Sequence, residues 1–183
     1  MCELFLRMLR GAVEFEGLEN VPRTGRLIIG VNHVSMLDPL LAAVAVYRVR
    51  YPRFVGKEEL FRVPLLGRSL GHLGAIPLNR GRADVGAIRK ALEVLDGEGC
   101  MVLFPEGTRA RPGKPGRPKS GIGLLARESR APVLPARVFD TVPFFSRRPL
   151  RIRFGEPICY TGGGGRSDDM RFAGKVMEQI FYL

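Results

Sequence analysis

The sequence is poor in the residues that build several common kinds of active site. Its 183 residues hold three cysteines, two histidines and no tryptophan. The cysteines are odd in number and widely spaced, with no CxxC pair or Cys/His cluster, so the sequence predicts no metal site and a reducing, cytosolic setting. Cys100 lies in the apolar run CMVLFP, and we interpret it as a buried small hydrophobic residue, not a nucleophile.

Long apolar runs are also missing. The longest candidate, PLLAAVAVY, is far shorter than the ~20 residues that span a bilayer, so no transmembrane helix is predicted. A cleavable signal peptide is disfavoured because Glu3 comes early and arginines interrupt the apolar residues. Residues 1–13 begin MCELFLRMLR, which suits a short helix on a membrane surface or an ordinary helix packed on the domain. We therefore expect at most a peripheral protein on the cytoplasmic side of the cell membrane.

Acidic residues are too few to balance the basic ones. Lysine plus arginine number 29 against 18 acids, which gives a net charge of +11. This excess favours anionic partners, namely nucleic acid, phosphorylated metabolites or an acidic lipid surface. The segment Arg109 to Lys119 contains no acid amid glycine and proline, and it predicts a mobile loop. A basic nucleic-acid-binding protein is an alternative, and it predicts salt-sensitive binding to DNA or RNA that is indifferent to His33.

Apolar, β-rich runs alternate with helix-like segments, which predicts an α/β fold in a single domain spanning 1–183. Several of these runs are continuously apolar, which is typical of a mostly parallel or mixed sheet covered by helices on both faces. The expected parts are the possible surface helix at 1–13, a catalytic core at 14–160, and a glycine linker with a C-terminal helix at 161–183. The predicted strands are RLIIGV, RFVG, AIPL, CMVLF, PVLPARV and LRIRF.

The stretch NHVSMLD contains His33 and, five positions later, Asp38. Within one regular helix these two side chains would point about 140° apart, so they meet only if the backbone turns between them. A buried strand precedes the stretch and Pro39 follows it, which places it on a strand-to-helix turn. There a carboxylate could orient the imidazole, whose other nitrogen would take a proton from a bound alcohol. Alternatively, Asp38 simply caps the helix and His33 is structural.

Two formal motif matches fail on their context. Gly67 to Gly71 matches the G-x-S-x-G nucleophile elbow around Ser69, but the preceding residues form a weak strand and no histidine follows late in the chain. The segment GKPGRPKS resembles a phosphate-binding P-loop, but Pro118 replaces the second glycine and offers no N–H. We therefore discard both a P-loop NTPase and a Ser69 hydrolase.

Two arginines follow predicted strands. FPEGTR runs from Phe104 to Arg109 and leaves Glu106, Thr108 and Arg109 at a strand end, while GAIPLNR places Arg80 just beyond another strand. The planar guanidinium suits a phosphate, and ligands bind at strand ends in α/β sheets. Together with the His33 turn, these arginines at strand ends are a pattern typical of a ligand-binding site.

These motifs resemble the glycerolipid acyltransferase family, in order along the chain from about Glu14 to Val138. NHVSMLD matches the first block, GAIPLNR is similar to the second, FPEGTR matches the third without a mismatch, and PVLPARV is similar to the fourth. The resemblance implies the α/β fold of glycerol-3-phosphate acyltransferases. It also implies transfer of a fatty acyl group from acyl-CoA or acyl carrier protein, as co-substrate, to lysophosphatidic acid, with no cofactor and no metal.

The resemblance also implies a role for each matching residue. His33, oriented by Asp38, would be the general base on the acceptor hydroxyl, which attacks the thioester directly. Arg80 and Arg109 would hold the acceptor phosphate. The residues implied to shape that pocket are Glu106, Gly107 and Thr108, and those implied to support the site are Asn32, Ser35, Lys57 and Lys119. An anionic membrane surface is the expected partner, with no nucleic acid, and another lysophospholipid or an amino-acid lipid is the alternative acceptor.

Overall fold

The computed structural model describes residues 13–72, 74–79, 84–111, 114–142 and 148–183. These residues form one mixed sheet in the order β1-β7-β6-β2-β5-β3-β4. All neighbouring strands are parallel except the β6–β7 pair. The predicted mixed sheet in an α/β fold is therefore confirmed. The strands are β1 Val13–Glu16, β2 Leu27–Val31, β3 Pro52–Lys57, β4 Ile76–Leu78, β5 Cys100–Leu103, β6 Val133–Phe139 and β7 Leu150–Phe154.

Helices cover both faces of the sheet, as predicted from its continuously apolar strands. Helix α1 packs on one face, and helices α4, α5 and α6 pack on the other, each within its own buried apolar cluster. The residues of β2 alternate between the two clusters, since Leu27 and Ile29 face α1 whereas Ile28 faces the opposite layer. The helices are α1 Asp38–Tyr47, α2 Glu58–Phe61, α3 Pro64–His72, α4 Val85–Asp96, α5 Gly121–Ser129 and α6 Arg166–Tyr182.

The structure corrects the sequence prediction at two places. Val13 begins strand β1, which pairs with β7 and was not predicted, so the expected surface helix does not extend to this residue; the rest of that helix, residues 1–12, lies outside the described residues. Helices α2 and α3 were also not predicted, because GKEELFRVPLLG lacks a clear apolar period and contains a proline and a glycine. Within the part of the chain that the structure covers, no helix is long and apolar enough to cross a membrane.

Helices α5 and α6 pack closely because Gly123 has no side chain. A Cβ at this position would lie 2.1 Å from the backbone oxygen of Asp169 in α6. We therefore expect Gly123→Ala to lower the free energy of unfolding by about 1–3 kcal/mol, because the two helices must separate. Urea unfolding measures this. Gly174→Ala in α6 is the control, because an added Cβ there meets nothing within 4 Å; an equal loss in both variants would contradict the packing explanation.

Candidate active site

His33 and Asp38 lie on the turn that joins β2 to α1, and their side chains meet. The Nδ1 atom of His33 lies 2.9 Å from Oδ2 of Asp38, and the exposed fractions of the two side chains are 13% and 0%. A carboxylate only accepts hydrogen bonds, so this contact places the imidazole hydrogen on Nδ1. Nε2 is then left as the proton acceptor, which is the arrangement that a general base needs.

The Asp38 carboxylate also shapes the turn itself. Its Oδ2 atom accepts the backbone N–H groups of Val34 at 2.6 Å and of Ser35 at 2.7 Å. The Ser35 hydroxyl in turn accepts the N–H of Leu37 at 3.2 Å. Asp38 is the first residue of α1, and the capping position belongs to Leu37 without a side-chain cap. Asp38 therefore does not simply cap the helix, because its side chain turns back to the histidine and to the chain before it.

Contacts with neighbouring strands hold the His33 ring and the residue before it. Phe104, at the end of β5, stacks on the imidazole with ring centroids 4.3 Å apart. Asn32 is buried and forms two hydrogen bonds with the backbone of Val138 in β6. Its Nδ2 atom donates to the Val138 carbonyl at 3.2 Å, and its Oδ1 atom accepts the Val138 N–H at 2.8 Å. The sequence analysis placed Asn32 in a supporting role but overlooked Phe104, although this residue opens the FPEGTR motif. Packing between β2, β5 and β6 thus limits the motion of the turn.

Glu106 joins the histidine turn to the basic loop. Its Oε2 atom accepts the N–H of His33 at 2.7 Å, and its Oε1 atom accepts the N–H of Gly116 at 3.1 Å. The residue is only 3% exposed. A further backbone bond runs from the N–H of Ala110 to the carbonyl of His33 at 2.7 Å. The described residues of the predicted loop form no helix or regular strand, but these bonds tie the loop to the His33 turn. Glu106 therefore acts on the geometry of the site.

Burial raises the pKa of the Glu106 carboxyl, and the hydrogen bonds from Gly116 and His33 offset part of that effect. At pH values between the ordinary and the raised pKa, the Glu106 carboxyl is protonated in the folded protein and ionised in the unfolded chain. The contribution of this group to stability is therefore present at acid pH and is lost as the pH rises through the raised pKa.

A comparison with Glu106→Gln tests this linkage. We expect the free energy of unfolding of the wild type, relative to the variant, to fall as the pH rises above the ordinary value of 4.5. The neutral amide does not titrate, so the difference isolates the carboxyl. Urea unfolding at a series of pH values measures it, and a difference that grows with pH would show that the hydrogen bonds outweigh burial.

The other predicted site residues that the structure describes lie at the same edge of the sheet. Thr108 and Arg109 are exposed and follow the turn at the end of β5. Gly107 has a φ of 70°, a conformation that favours glycine. Lys119 is exposed, and its N–H bonds the carbonyl of Pro105 at 2.9 Å. Lys57 is exposed at the end of β3 and pairs with Glu59 at 3.0 Å, whereas Arg80 lies outside the described residues.

An apolar cavity opens beside the FPEGTR turn. Its volume is about 210 Å³, and its walls come from the ends of β3, β4 and β5 and from α4 and α5. Phe104, which stacks on His33, forms part of the wall, and Lys119 and Gly107 lie at the same end. This cavity therefore lies within the core domain, next to the His33 turn.

The structure offers no support for a covalent nucleophile at the two residues considered from the sequence. Cys100 is buried in β5, and burial raises the pKa of its thiol to about 12, so the thiol stays protonated. Ser69 lies within helix α3 and not on a strand-to-helix turn. Among the described residues, no group of three or more histidines, cysteines or acids is arranged to hold a metal ion.

The fold and the site together define an α/β protein whose His/Asp pair, at the carboxyl edge of the sheet, is arranged to activate a hydroxyl. Residues 12–138 match the family described as Acyltransferase. The chain therefore belongs to the Acyltransferase family, which confirms the resemblance found in its motifs.

Several known proteins are similar to the chain. A 1-acyl-sn-glycerol-3-phosphate acyltransferase of Borreliella burgdorferi is 33% identical over 132 residues, which are 70% of this chain and 52% of the relative. The chloroplastic enzyme of Brassica napus is 31% identical, over 70% of this chain and 37% of its own length. The crystal structure of the 1-acyl-sn-glycerophosphate (LPA) acyltransferase PlsC from Thermotoga maritima aligns with a TM-score of 0.79 and 27% identity, over 97% of this chain and 74% of that one. The chain thus spans about half the length of the Borreliella relative and about a third of the length of the Brassica relative.

Proposed function

We propose that this protein transfers a fatty acyl group from a thioester donor, acyl-CoA or acyl carrier protein, to the free hydroxyl of lysophosphatidic acid, giving phosphatidic acid for phospholipid synthesis. The observation that carries the proposal is the His33–Asp38 contact, which leaves Nε2 as the proton acceptor. Relatives named as 1-acyl-sn-glycerol-3-phosphate acyltransferases support this choice of acceptor.

In the proposed mechanism, His33 removes the proton of the acceptor hydroxyl as its oxygen attacks the thioester carbonyl. Asp38 fixes the tautomer and balances the positive charge that forms on the imidazole. The C–S bond of the thioester then breaks, and the leaving thiolate takes the proton from the His33 imidazolium, which restores the base. The acyl group passes directly to the acceptor oxygen, so no acyl-protein forms. Holding the hydroxyl close to both the base and the thioester supplies much of the rate.

The acceptor phosphate is proposed to bind at the turn after β5. Arg109 and Arg80 are the cations for this role, with Gly107 and Thr108 forming the turn. We assign Glu106 to shaping this pocket through the backbone and not to direct contact with the phosphate, because both its oxygens already accept backbone N–H groups and a carboxylate repels a phosphate. A charge-assisted contact from a guanidinium discriminates strongly against acceptors that lack a phosphate.

An assay matrix tests the proposal. Purified protein is given CoA and carrier-protein donors against lysophosphatidate, other lysophospholipids, amino-acid lipids and monoacylglycerol. We expect turnover with lysophosphatidate to exceed turnover with monoacylglycerol, because the phosphate contact is missing from the latter. Equal turnover with the phosphate-free acceptor would contradict the assignment, and preference for another lysolipid would favour the alternative acceptor.

The apolar cavity is proposed to hold the acyl chain. Gly121 borders it, and a Cβ atom added there meets nothing within 4 Å, so this position tolerates a larger residue at the edge of the cavity. We expect Gly121→Leu to shift the preferred acyl donor to shorter chains. Competition between donors of different length measures this, and Gly174→Leu in α6 is the matched control. Unchanged selectivity in Gly121→Leu would contradict the assignment.

We also propose that the carboxyl edge of the sheet faces an anionic membrane, on its cytoplasmic side. Large apolar side chains lie exposed at this edge, including Met36 after β2, Leu60 and Val63 after β3, and Val142 after β6. The exposed cations of the basic loop lie at the same edge, a combination typical of interfacial binding. Co-sedimentation with vesicles tests the proposal, with stronger binding to anionic than to neutral vesicles expected and equal binding contradicting it.

A further inference from the structure

A second cavity, of about 310 Å³, lies on the other side of the FPEGTR turn. It is formed where β2 and β6 end, between the basic loop and the end of α6, and its volume is at the lower end of the range for small-molecule sites. About half of its lining residues are polar or charged, a larger share than in the apolar cavity. Those that matter here are Glu106, Arg111, Lys114, Arg137, Asp140 and Thr141.

The balance of charge in this second cavity is positive. Three of the lining residues are cations, Arg111, Lys114 and Arg137. The two acids are already engaged, since Glu106 accepts two backbone N–H groups and Asp140 pairs with Arg148 at 3.5 Å. Both carboxylates in the cavity wall are therefore bound to other groups, and the charge that remains for a ligand is that of the three cations.

The fold holds Arg137 in place at an energetic cost. In the antiparallel pair of β6 and β7 it lies directly opposite Arg153, and like charges in that position repel, although the ion pair of Arg153 with Glu16 at 2.6 Å offsets part of the repulsion. Burial, with a further contribution from Arg153, lowers the pKa of the Arg137 guanidinium. Contacts with the rings of Phe139 and Phe181, and a 2.7 Å bond to the Phe181 carbonyl, orient it. An anion in the cavity would offset the repulsion.

Thr141 supplies a second, independent observation. The residue lines the cavity and is only 1% exposed, and its hydroxyl has no hydrogen-bond partner among the described residues. A buried hydroxyl without a partner costs about 1–3 kcal/mol, and a hydrogen bond to a ligand in the cavity would recover part of that cost. A phosphate oxygen accepts such a bond and also pairs with the three cations.

The two cavities meet at the catalytic turn. Gly107 lines the apolar cavity, and its neighbour Glu106 lines the polar one while bonding the N–H of His33. A substrate with an acyl chain at one end and a phosphate at the other would extend from one cavity to the other past this turn. We propose that the polar cavity is a phosphate subsite, which takes a phosphate of the CoA-type donor or, in place of the turn after β5, the phosphate of the lysophosphatidate acceptor; this inference rests on the proposed acyl transfer.

Isothermal titration with two matched pairs of probes tests the subsite. CoA is compared with pantetheine, which lacks the nucleotide phosphates, and hexanoyl lysophosphatidate is compared with monohexanoylglycerol. The variants are Thr141→Val and the double substitution Arg111→Gln with Lys114→Gln, and Arg171→Gln on the exposed side of α6 is the control. We expect each variant to raise the Kd of one phosphorylated probe by roughly 10-fold, as loss of one charge-assisted bond predicts.

The identity of the affected probe names the source of the phosphate. Weaker binding of CoA assigns the subsite to the donor, and weaker binding of the lysophosphatidate assigns it to the acceptor. Thr141→Val is also expected to keep or raise the Tm, because it removes an unpartnered buried hydroxyl. Unchanged Kd values in both variants, a lower Tm without an effect on binding, or no binding of either phosphorylated probe to the wild type would overturn the inference. Binding without any acyl transfer would instead overturn the proposed function alone.

Discussion

His33→Ala is expected to lower kcat for acyl transfer by about 10²–10⁴-fold, the usual contribution of a positioned general base. The physical reason is that no other side chain at the β2–α1 turn offers a nitrogen held by a buried carboxylate. KM for both substrates is expected to change little, because the imidazole is assigned to proton transfer and not to binding. Steady-state kinetics with acyl-CoA and lysophosphatidate measure both constants.

The control for this variant is His72→Ala, because the second histidine of the chain lies in helix α3 and not on the turn. We expect it to retain the activity of the wild type. Circular dichroism and thermal unfolding must show that both variants are folded. Full activity in a folded His33→Ala protein would rule out the assigned base.

Asp38→Asn is expected to lower kcat by on the order of 10²-fold or more, because the same change in serine-protease triads removes most of the rate. The amide keeps the shape of the side chain but loses the charge that balances an imidazolium. It is also expected to cost about 1–3 kcal/mol of folding free energy. The amide NH₂ would occupy the position of Oδ1, which is buried and has no partner among the described residues.

The matched control for Asp38→Asn is Asp168→Asn, an acid in the first turn of α6 that pairs only with surface groups. It tests whether loss of any helix-terminal acid gives the same result. We expect a small stability change and no kinetic effect. A loss of stability in Asp38→Asn without a loss of kcat would reduce Asp38 to a structural residue of the turn.

The sequence predicted the central strands well because their residues are apolar on both faces, which few other structures tolerate. It missed β1 because VEFE alternates and has only four residues. It also left the relation of His33 to Asp38 open, because their separation fits neither a helix nor a strand. Only the backbone turn, held by the Val34 and Ser35 N–H groups on Asp38, decides that the side chains meet.

The contacts that no motif could predict join residues distant in the sequence. The stacking of Phe104 on His33 and the bond from the His33 N–H to Glu106 depend on β2 and β5 being neighbours in the sheet. The second cavity depends on β6 and the end of α6 approaching the loop. For such features the sequence supplies candidate residues, and the order of strands decides which of them share a site.

The most direct test of the account is a single-turnover measurement of thiol release from acyl-CoA. With wild-type protein, release of CoA should require lysophosphatidate, match the phosphatidic acid formed, and leave the protein unmodified in intact mass spectrometry. The same experiment with His33→Ala should show little release. An acylated protein, or release that proceeds without the acceptor, would contradict direct attack by a hydroxyl activated by His33.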